Sequence, residues 1–283
     1  MALGMRSILD IARYPIQLGV IKMPREQYRV ACGLNPSSLK QPSPRHVRYA
    51  YENETEPTDA MKLGTAVHAL CWEPHRFEQD IAVWPNIRRG KEWAAFKEAN
   101  DGKLILTTEL YRRAVDISSA LVADPLVGQL AFSGIAETAV FTEELGLQCR
   151  GLLDWVNTDL GILCDLKVVN NVQARLFGSA VIRYGWDVSV ACYHRWFQRE
   201  SGKEIAAVKF IAVESKPPYD VVVFDVDHSV LEAGWTKAEK SISEVKHAIV
   251  TGVWPGIAGH ESLPLYVPNW AMEEPELTGM EIA

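Results

Sequence analysis

Apolar residues recur at two different spacings along the chain, and these spacings predict both helices and strands. Spacing near the helical period predicts helices within AMKLGTAVHALCW and LTTELYRRAVDISSALVADP, and over residues 174–200 and 229–249. Three short runs rich in β-branched and apolar residues predict an antiparallel meander with tight turns: ETAVFTEE, LQCRGLLDWVNTD and GILCDLKVV. Residues 206–214 and 220–227 predict two further strands. This order of elements predicts an α/β fold with a mixed central sheet flanked by helices.

The same patterns divide the chain into three parts of a single domain, residues 1–283. Residues 1–34 show a weaker helical pattern and are predicted to form an N-terminal helical extension. Residues 35–267 hold the strong patterns and form the predicted core. Residues 268–283 form a predicted acidic tail, because Met272 and the residues after it include four glutamates and no lysine or arginine.

Composition and charge narrow the classes of function. Lys and Arg number 29 against 36 Asp and Glu, so the formal charge of −7 counts against a conventional nucleic-acid binder, although a basic groove remains compatible with it. No apolar stretch reaches the ~18 residues of a membrane span. The five cysteines form no CxxC pair, so neither a disulfide framework nor a zinc or iron-sulfur site is indicated. We expect a cytoplasmic protein without a membrane segment.

Charged residues inside the meander are the first candidates for chemistry. Asp165 and Lys167 are two residues apart in an otherwise apolar strand, so their side chains share one face of the sheet. A hairpin turned near residues 159–161 would bring Asp154 beside them. Two carboxylates next to a lysine suit Mg²⁺ or Mn²⁺. An isolated D-x-K is more often structural, but burying both charges is costly, and this argues for a functional role.

These motifs resemble the core of the PD-(D/E)XK nucleases. The pattern G-x-x-D followed by an apolar strand with D-x-K, at an interval of eleven residues between the aspartates, is typical of the RecB-like branch. The chain is most similar to RecE-type exonuclease domains, which are related to phage lambda exonuclease. Further matches are GLNPSSLKQPSPRHVRYAYE, EPTDAMKLGTAVHALCWEP, AETAVFTEE and WPGIAGHESLPLYVPNW. The chain departs from many RecB-like nucleases at Ser189, where they carry a glutamine.

The resemblance implies a metal-dependent phosphodiester hydrolase with assigned ligands. It assigns the metal to His68, Asp154, Asp165 and the carbonyl of Leu166. It assigns Lys167 to orienting or polarising the attacking water. Glu137 would bind a second ion or hold a water, whereas its structural alternative is an ordinary carboxylate at a strand start. For His68 the structural alternative is a helix histidine with no ligand.

Contacts with DNA are assigned with alternatives left open. The helix start at residues 35–38, with Ser38, Arg45 and Arg48, could hold a 5′ phosphate, because helix starts and guanidinium groups favour anions. The alternative is a solvated basic turn. Tyr193 lies on the helix after the meander, where we expect it to support the ligands or to contact DNA.

The activity implied by the resemblance is a Mg²⁺-dependent double-strand DNA exonuclease, with Mn²⁺ as an alternative ion. It would degrade DNA 5′ to 3′ and leave 3′ overhangs for recombination by a single-strand annealing protein of the RecT or Bet type. A homo-oligomeric ring of three or four subunits would keep an acidic protein on double-stranded DNA. The alternatives are an endonuclease or single-strand nuclease on the same fold, or a catalytically silent DNA-binding module.

Overall fold

The fold is described from a computed structural model that covers residues 7–12, 17–23, 25–53, 56–131, 134–259 and 261–267. It contains eight strands: β1 Gly19–Lys22, β2 Ile81–Trp84, β3 Leu104–Thr107, β4 Ile135–Glu144, β5 Leu147–Asn157, β6 Ile162–Val169, β7 Ala207–Glu214 and β8 Val221–Asp225. Six of them form the main sheet in the order β1-β4-β5-β6-β7-β8. Strands β2 and β3 form a separate parallel pair. Within the main sheet only β6 and β7 are parallel, so the sheet is mixed as predicted.

Helices cover both faces of the main sheet. They are α1 Arg25–Val30, α2 Pro36–Leu39, α3 Pro44–Glu52, α4 Asp59–Trp72, α5 Phe77–Asp80, α6 Gly90–Ala99, α7 Thr108–Ala123, α8 Pro125–Ala131, α9 Ala174–Arg183, α10 Trp186–Ser201 and α11 His228–Thr251. Two 3₁₀ helices, Ile8–Ala12 and Pro74–Arg76, complete the set in the described residues. None of the helices in these ranges has both the length and the apolar character that crossing a membrane requires.

Two hydrophobic cores lie on opposite faces of the main sheet. Helices α9, α10 and α11 pack on one face against Leu153, Leu163 and Phe210. Helices α4, α7 and α8 pack on the other face against Trp155 and Leu166. The alternation along β6 explains this arrangement, because neighbouring residues of a strand point to opposite faces. Helices therefore pack on both faces of β5 and β6.

The predicted helix over residues 174–200 is two helices in the structure. Helix α9 ends at Arg183 and α10 begins at Trp186, with Gly185 between them in the left-handed region at φ 65°. Glycine adopts this conformation without the steric penalty of a Cβ atom. The apolar spacing continues through the break, so the periodicity alone did not reveal it. The break directs α10 across the strands of the meander.

The N-terminal part also differs from the prediction. Residues Gly19–Lys22 are not helical but form β1, which pairs antiparallel with β4 at the edge of the main sheet. The helical pattern was wrong here because a four-residue edge strand is too short to give a clear alternation. The β2–β3 pair and helix α6 were not predicted either, since they lie in a stretch of mixed composition. The predicted acidic tail, residues 268–283, lies outside the described residues.

Candidate active site

The predicted catalytic strands separate at the point where their charged residues lie. Strands β5 and β6 pair through Trp155 and Cys164, and the next pair in this register would be Asp154 and Asp165. That pair does not form, while β6 stays paired with β7 through the whole region. The backbone N–H of Leu166 is instead satisfied by the Asp154 carboxylate, which accepts from it at 2.9 Å. At the split, a side-chain contact from Asp154 therefore replaces the backbone pairing between β5 and β6.

The side chains of strand β5 switch faces of the sheet at Asp154. Leu153 packs into the core under α10, whereas Trp155 packs into the core under α4 and α7. Residues two apart in a regular strand share a face, so the strand is rotated between them. On β4, Glu137 is the residue that the register places opposite Asp154, and its φ of 49° lies in the left-handed region. Such backbone conformations are costly for residues other than glycine and cluster at functional sites.

Helix α4 brings His68 to the split. Thr58 caps the helix by accepting from the Met61 N–H, and Leu63 and Val67 bury its other side against the sheet. The His68 Nε2 atom lies 3.1 Å from the Leu166 carbonyl oxygen and 3.7 Å from Asp154 Oδ2. The helix thus delivers an imidazole nitrogen to the same strand gap that the carboxylates enter.

These groups form a donor set that fits a divalent cation. Ligand atoms of His68, Glu137 and Asp154 all lie within 4.8 Å of one another. The Leu166 carbonyl adds a fourth oxygen or nitrogen donor beside His68. Carboxylate and carbonyl oxygens suit Mg²⁺ and Mn²⁺, and an imidazole is compatible with the latter and with other transition ions. The structure therefore brings together three of the four predicted ligands and adds Glu137 to them.

The fourth predicted ligand, Asp165, is held by Lys167. The two side chains form an ion pair, and Lys167 Nζ also lies 3.4 Å from the Leu166 carbonyl oxygen. Burial raises the pKa of Asp165 to about 6, with Lys167 opposing and Asp154 adding to the rise. Burial lowers the pKa of Lys167, but the attraction of Asp165 and Asp154 outweighs it, so the net pKa is raised and the ammonium is retained. A charged lysine thus lies at the edge of the donor set.

The raised pKa of Asp165 gives a testable pH dependence. In the metal-free protein this carboxyl binds a proton below about pH 6. The motif resemblance assigns Asp165 to the metal, and on that assignment an ion must displace the proton. We expect the affinity for Mn²⁺, measured by isothermal titration calorimetry, to fall by about tenfold per pH unit below pH 6 and to change little between pH 7 and 8. In Asp165→Asn this component of the pH dependence should disappear. Equal Mn²⁺ affinities of the wild-type protein at pH 5 and 7 would contradict the assignment.

Tyr193 lies behind the carboxylates. An added Cβ on Gly151 would approach the Tyr193 ring to 2.9 Å, so the glycine of the G-x-x-D motif allows α10 to pack closely on β5. Burial raises the pKa of Tyr193 well above its ordinary value, and Asp165 and Asp154 raise it further. The phenol therefore stays protonated and can donate a hydrogen bond. Its role in support or in DNA contact stays a prediction.

The residues predicted to hold a 5′ phosphate are engaged within the protein. Ser38 is buried and donates from its hydroxyl to Asn35 Oδ1 at 3.2 Å. Arg45 donates to the Trp254 carbonyl at 3.3 Å, and Arg48 lies over the Trp254 ring and pairs with Glu52 at 3.1 Å. Both arginines thus attach α3 to the segment after α11. Their role in phosphate binding stays a prediction.

Sequence reasoning missed two features beside the donor set. The first is an open cavity of about 570 Å³ that adjoins Glu137. Its other lining residues are Lys22, Met23, Glu73, His75, Arg76, Gln79 and Asp80. The second is the surface around Trp186, whose ring centroid lies 5.6 Å from Lys167 Nζ. Only the aromatic residues after the meander signalled this surface in the sequence, and they indicated core packing equally well.

Comparisons with known proteins place this chain in a family. Residues 40–263 match the family described as PDDEXK-like domain of unknown function (DUF3799). A search of curated proteins gave no match. A solved structure from Eubacterium rectale, named "Putative exonuclease", is similar with a TM-score of 0.63 and 14% identity, covering 88% of this chain and 97% of its own. A phage-related exonuclease from Haemophilus somnus gives a TM-score of 0.34 and 11% identity, covering 78% of this chain and 97% of its own. Since the family match spans well over half of the sequence, the chain belongs to the PDDEXK-like DUF3799 family.

Proposed function

We propose that this protein is a Mg²⁺-dependent exonuclease that degrades double-stranded DNA from its 5′ ends and leaves 3′ overhangs. The observation that carries the proposal is the donor set at the split between β5 and β6, with a charged lysine at its edge. His68, Glu137 and Asp154 supply ligand atoms within 4.8 Å of one another. Lys167 lies 3.4 Å from the carbonyl of the intervening Leu166. A structural sheet has no need for a strand gap filled with charged groups.

We infer that one group of residues binds the ion and that another activates the attacking water. A divalent ion held by His68, Glu137 and Asp154 would supply positive charge to the phosphate and would lower the pKa of a nearby water. Asp154 is held in place by the Leu166 N–H at 2.9 Å. Lys167 is held by Asp165, which keeps its ammonium charged and directed toward the gap. We infer that this ammonium orients the attacking water and stabilises charge on the phosphate.

Two further observations support a DNA substrate and an end-dependent mode. The name given to the similar Eubacterium rectale protein agrees with an exonuclease. The motif resemblance to RecE-type domains extends the proposal to a ring of three or four subunits and to an annealing partner of the RecT or Bet type. Mn²⁺ is the alternative ion.

The proposal is tested by digestion of three DNA substrates in Mg²⁺: linear duplex, covalently closed circular duplex and single strands. Each strand end is labelled separately. We expect loss of the linear duplex only, beginning at 5′ ends, and complete inhibition by EDTA because the donor set needs its ion. Chelation followed by added Mg²⁺ or Mn²⁺ should restore cleavage.

Other outcomes lead to different functions. Cleavage of the closed circle would indicate an endonuclease, and loss of single strands alone would indicate a single-strand nuclease. Binding of DNA without any cleavage in Mg²⁺ or Mn²⁺ would indicate a catalytically silent module. Resistance of the cleavage to EDTA would overturn the metal site itself.

A further inference from the structure

Lys40 reaches the candidate active site from a different part of the chain. It follows α2 directly, and its backbone N–H donates to the Pro36 carbonyl at 3.2 Å. Its aliphatic stem passes over Gly185, at the break between α9 and α10. A Cβ built on Gly185 would lie 2.7 Å from Lys40 Cβ and 3.1 Å from Lys40 Cδ. Glycine at this break therefore permits the close approach of the lysine stem.

This position places Lys40 beside the catalytic lysine. Gly185 is followed directly by Trp186, and Lys167 Nζ lies 5.6 Å from the centroid of the Trp186 ring. The two lysines thus reach adjacent residues of the same turn, Lys40 from α2 and Lys167 from β6. Loss of hydration and repulsion by the Lys167 ammonium both lower the pKa of Lys40, while Asp165 opposes them. The two ammonium groups are close enough to act on each other.

The charge of Lys40 is not neutralised by a carboxylate among the described residues. Within that part of the chain, Lys40 forms no ion pair with a carboxylate at 4.0 Å or less. Lys167 has Asp165, and Lys237 has Asp187 at 2.5 Å. Holding two ammonium groups close together is unfavourable unless an anion neutralises them. Packing on Gly185 removes part of the Lys40 side chain from water, but the residue as a whole remains exposed, so an anion from solution can reach it.

We propose that Lys40 binds a backbone phosphate of the DNA strand, next to the phosphate that is hydrolysed. This inference rests on the proposed function, because it takes DNA to be the polymer that crosses the site. Lys167 lies beside the phosphate at the metal, and Lys40 holds the neighbouring phosphate through its ammonium. An ammonium acts as a point charge with three donors, which suits the non-bridging oxygens of a phosphodiester. Lys40 is thus a substrate-binding residue and takes no part in water activation.

The test compares Lys40→Met with Lys40→Arg and with a matched control, Lys240→Met. Lys240 is exposed on α11 and makes only a surface ion pair with Glu244 at 3.8 Å. Binding of a labelled duplex is measured in EDTA by fluorescence anisotropy at several NaCl concentrations, so that no cleavage occurs. Losing one phosphate contact should reduce the slope of log affinity against log salt by about 1 in Lys40→Met. Lys40→Arg and Lys240→Met should keep the wild-type slope.

Steady-state cleavage in Mg²⁺ gives a second readout. We expect kcat/KM of Lys40→Met to fall about tenfold to a hundredfold, mainly through KM, with recovery in Lys40→Arg. A wild-type salt slope in Lys40→Met overturns the inference, as does a kcat/KM within twofold of wild type. A lowered Tm with an unchanged slope would assign Lys40 a structural role and also overturn it. If the wild-type protein cleaves no DNA, the proposed function fails, and the slope still decides whether Lys40 contacts a phosphate.

Discussion

Replacing Lys167 by Met should remove DNA cleavage while leaving the metal site able to bind its ion. Lys167 contributes its charge and proton donors at the edge of the donor set, but its side chain is not among the grouped ligand atoms. Loss of a positioned group of this kind typically lowers kcat by about a hundredfold to ten-thousandfold. Methionine keeps an unbranched side chain of similar length but removes the charge. The measurement is single-turnover cleavage of a labelled linear duplex, combined with Mn²⁺ titration of the same protein.

The variant also leaves Asp165 without its counter-ion, which makes the effect on folding depend on pH. The pKa of Asp165 is raised to about 6 by burial even with Lys167 present, and it should rise further in Lys167→Met. Because the folded-state pKa lies above the unfolded-state pKa, this group's contribution to stability is present at low pH and is lost as pH rises from the unfolded-state pKa through the folded-state pKa. A higher folded-state pKa in the variant therefore extends the loss of stability to higher pH. We therefore expect the Tm difference between wild type and variant to be larger at pH 8 than at pH 5.

Two controls distinguish a loss of catalysis from a loss of the folded protein. Lys240→Met removes an exposed lysine and should cleave DNA at the wild-type rate. Circular dichroism at pH 6 should show that Lys167→Met is folded. Cleavage by Lys167→Met at a rate within tenfold of wild type would remove Lys167 from the catalytic machinery. Loss of Mn²⁺ binding together with cleavage would instead make Lys167 a support for the metal site.

The sequence predicted the central part of this site because two periodicities determine it. Alternation with period two placed Asp165 and Lys167 on one face, and tight turns at the ends of the apolar runs predicted the order of β4, β5 and β6. The structure confirms both. His68 was found only through the motif resemblance, because a single histidine on a helix has no distinctive spacing. The local pattern therefore predicted the strands with Asp165 and Lys167, whereas the resemblance predicted the role of His68.

What escaped prediction depends on contacts between distant segments. The rotation of β5 between Leu153 and Trp155 arises where two strands separate, and no alternation in the sequence records it. This rotation and the left-handed backbone of Glu137 bring the carboxylate of β4 into the donor set. Lys40 and Gly185, in the turn before α10, are far apart in the sequence and are brought together only by the fold. A local sequence pattern cannot describe such an encounter.

Replacing Asp154 by Asn should abolish both metal binding and cleavage. The Asn Oδ1 atom can still accept from the Leu166 N–H, now bonded to Asp154 at 2.9 Å, so the strand split should persist. The negative charge that draws a cation to His68 and Glu137 is lost. Substitution of groups outside the ligand set typically lowers metal affinity by about 10–100-fold, so a direct ligand should exceed that range. We expect Mn²⁺ affinity to fall more than about a hundredfold and cleavage to fall about a thousandfold or more.

Asp116→Asn is the matched control for this variant, because it makes the same chemical change at an exposed position. Asp116 lies on α7, where it accepts from the Tyr219 hydroxyl at 3.4 Å, and Asn can keep that bond. Both Mn²⁺ affinity and cleavage should be unchanged in this control. Wild-type Mn²⁺ affinity in Asp154→Asn would show that the ion is held elsewhere. Taken with Lys167→Met, the pair separates water activation from ion binding, since one variant should keep the metal and the other should lose it.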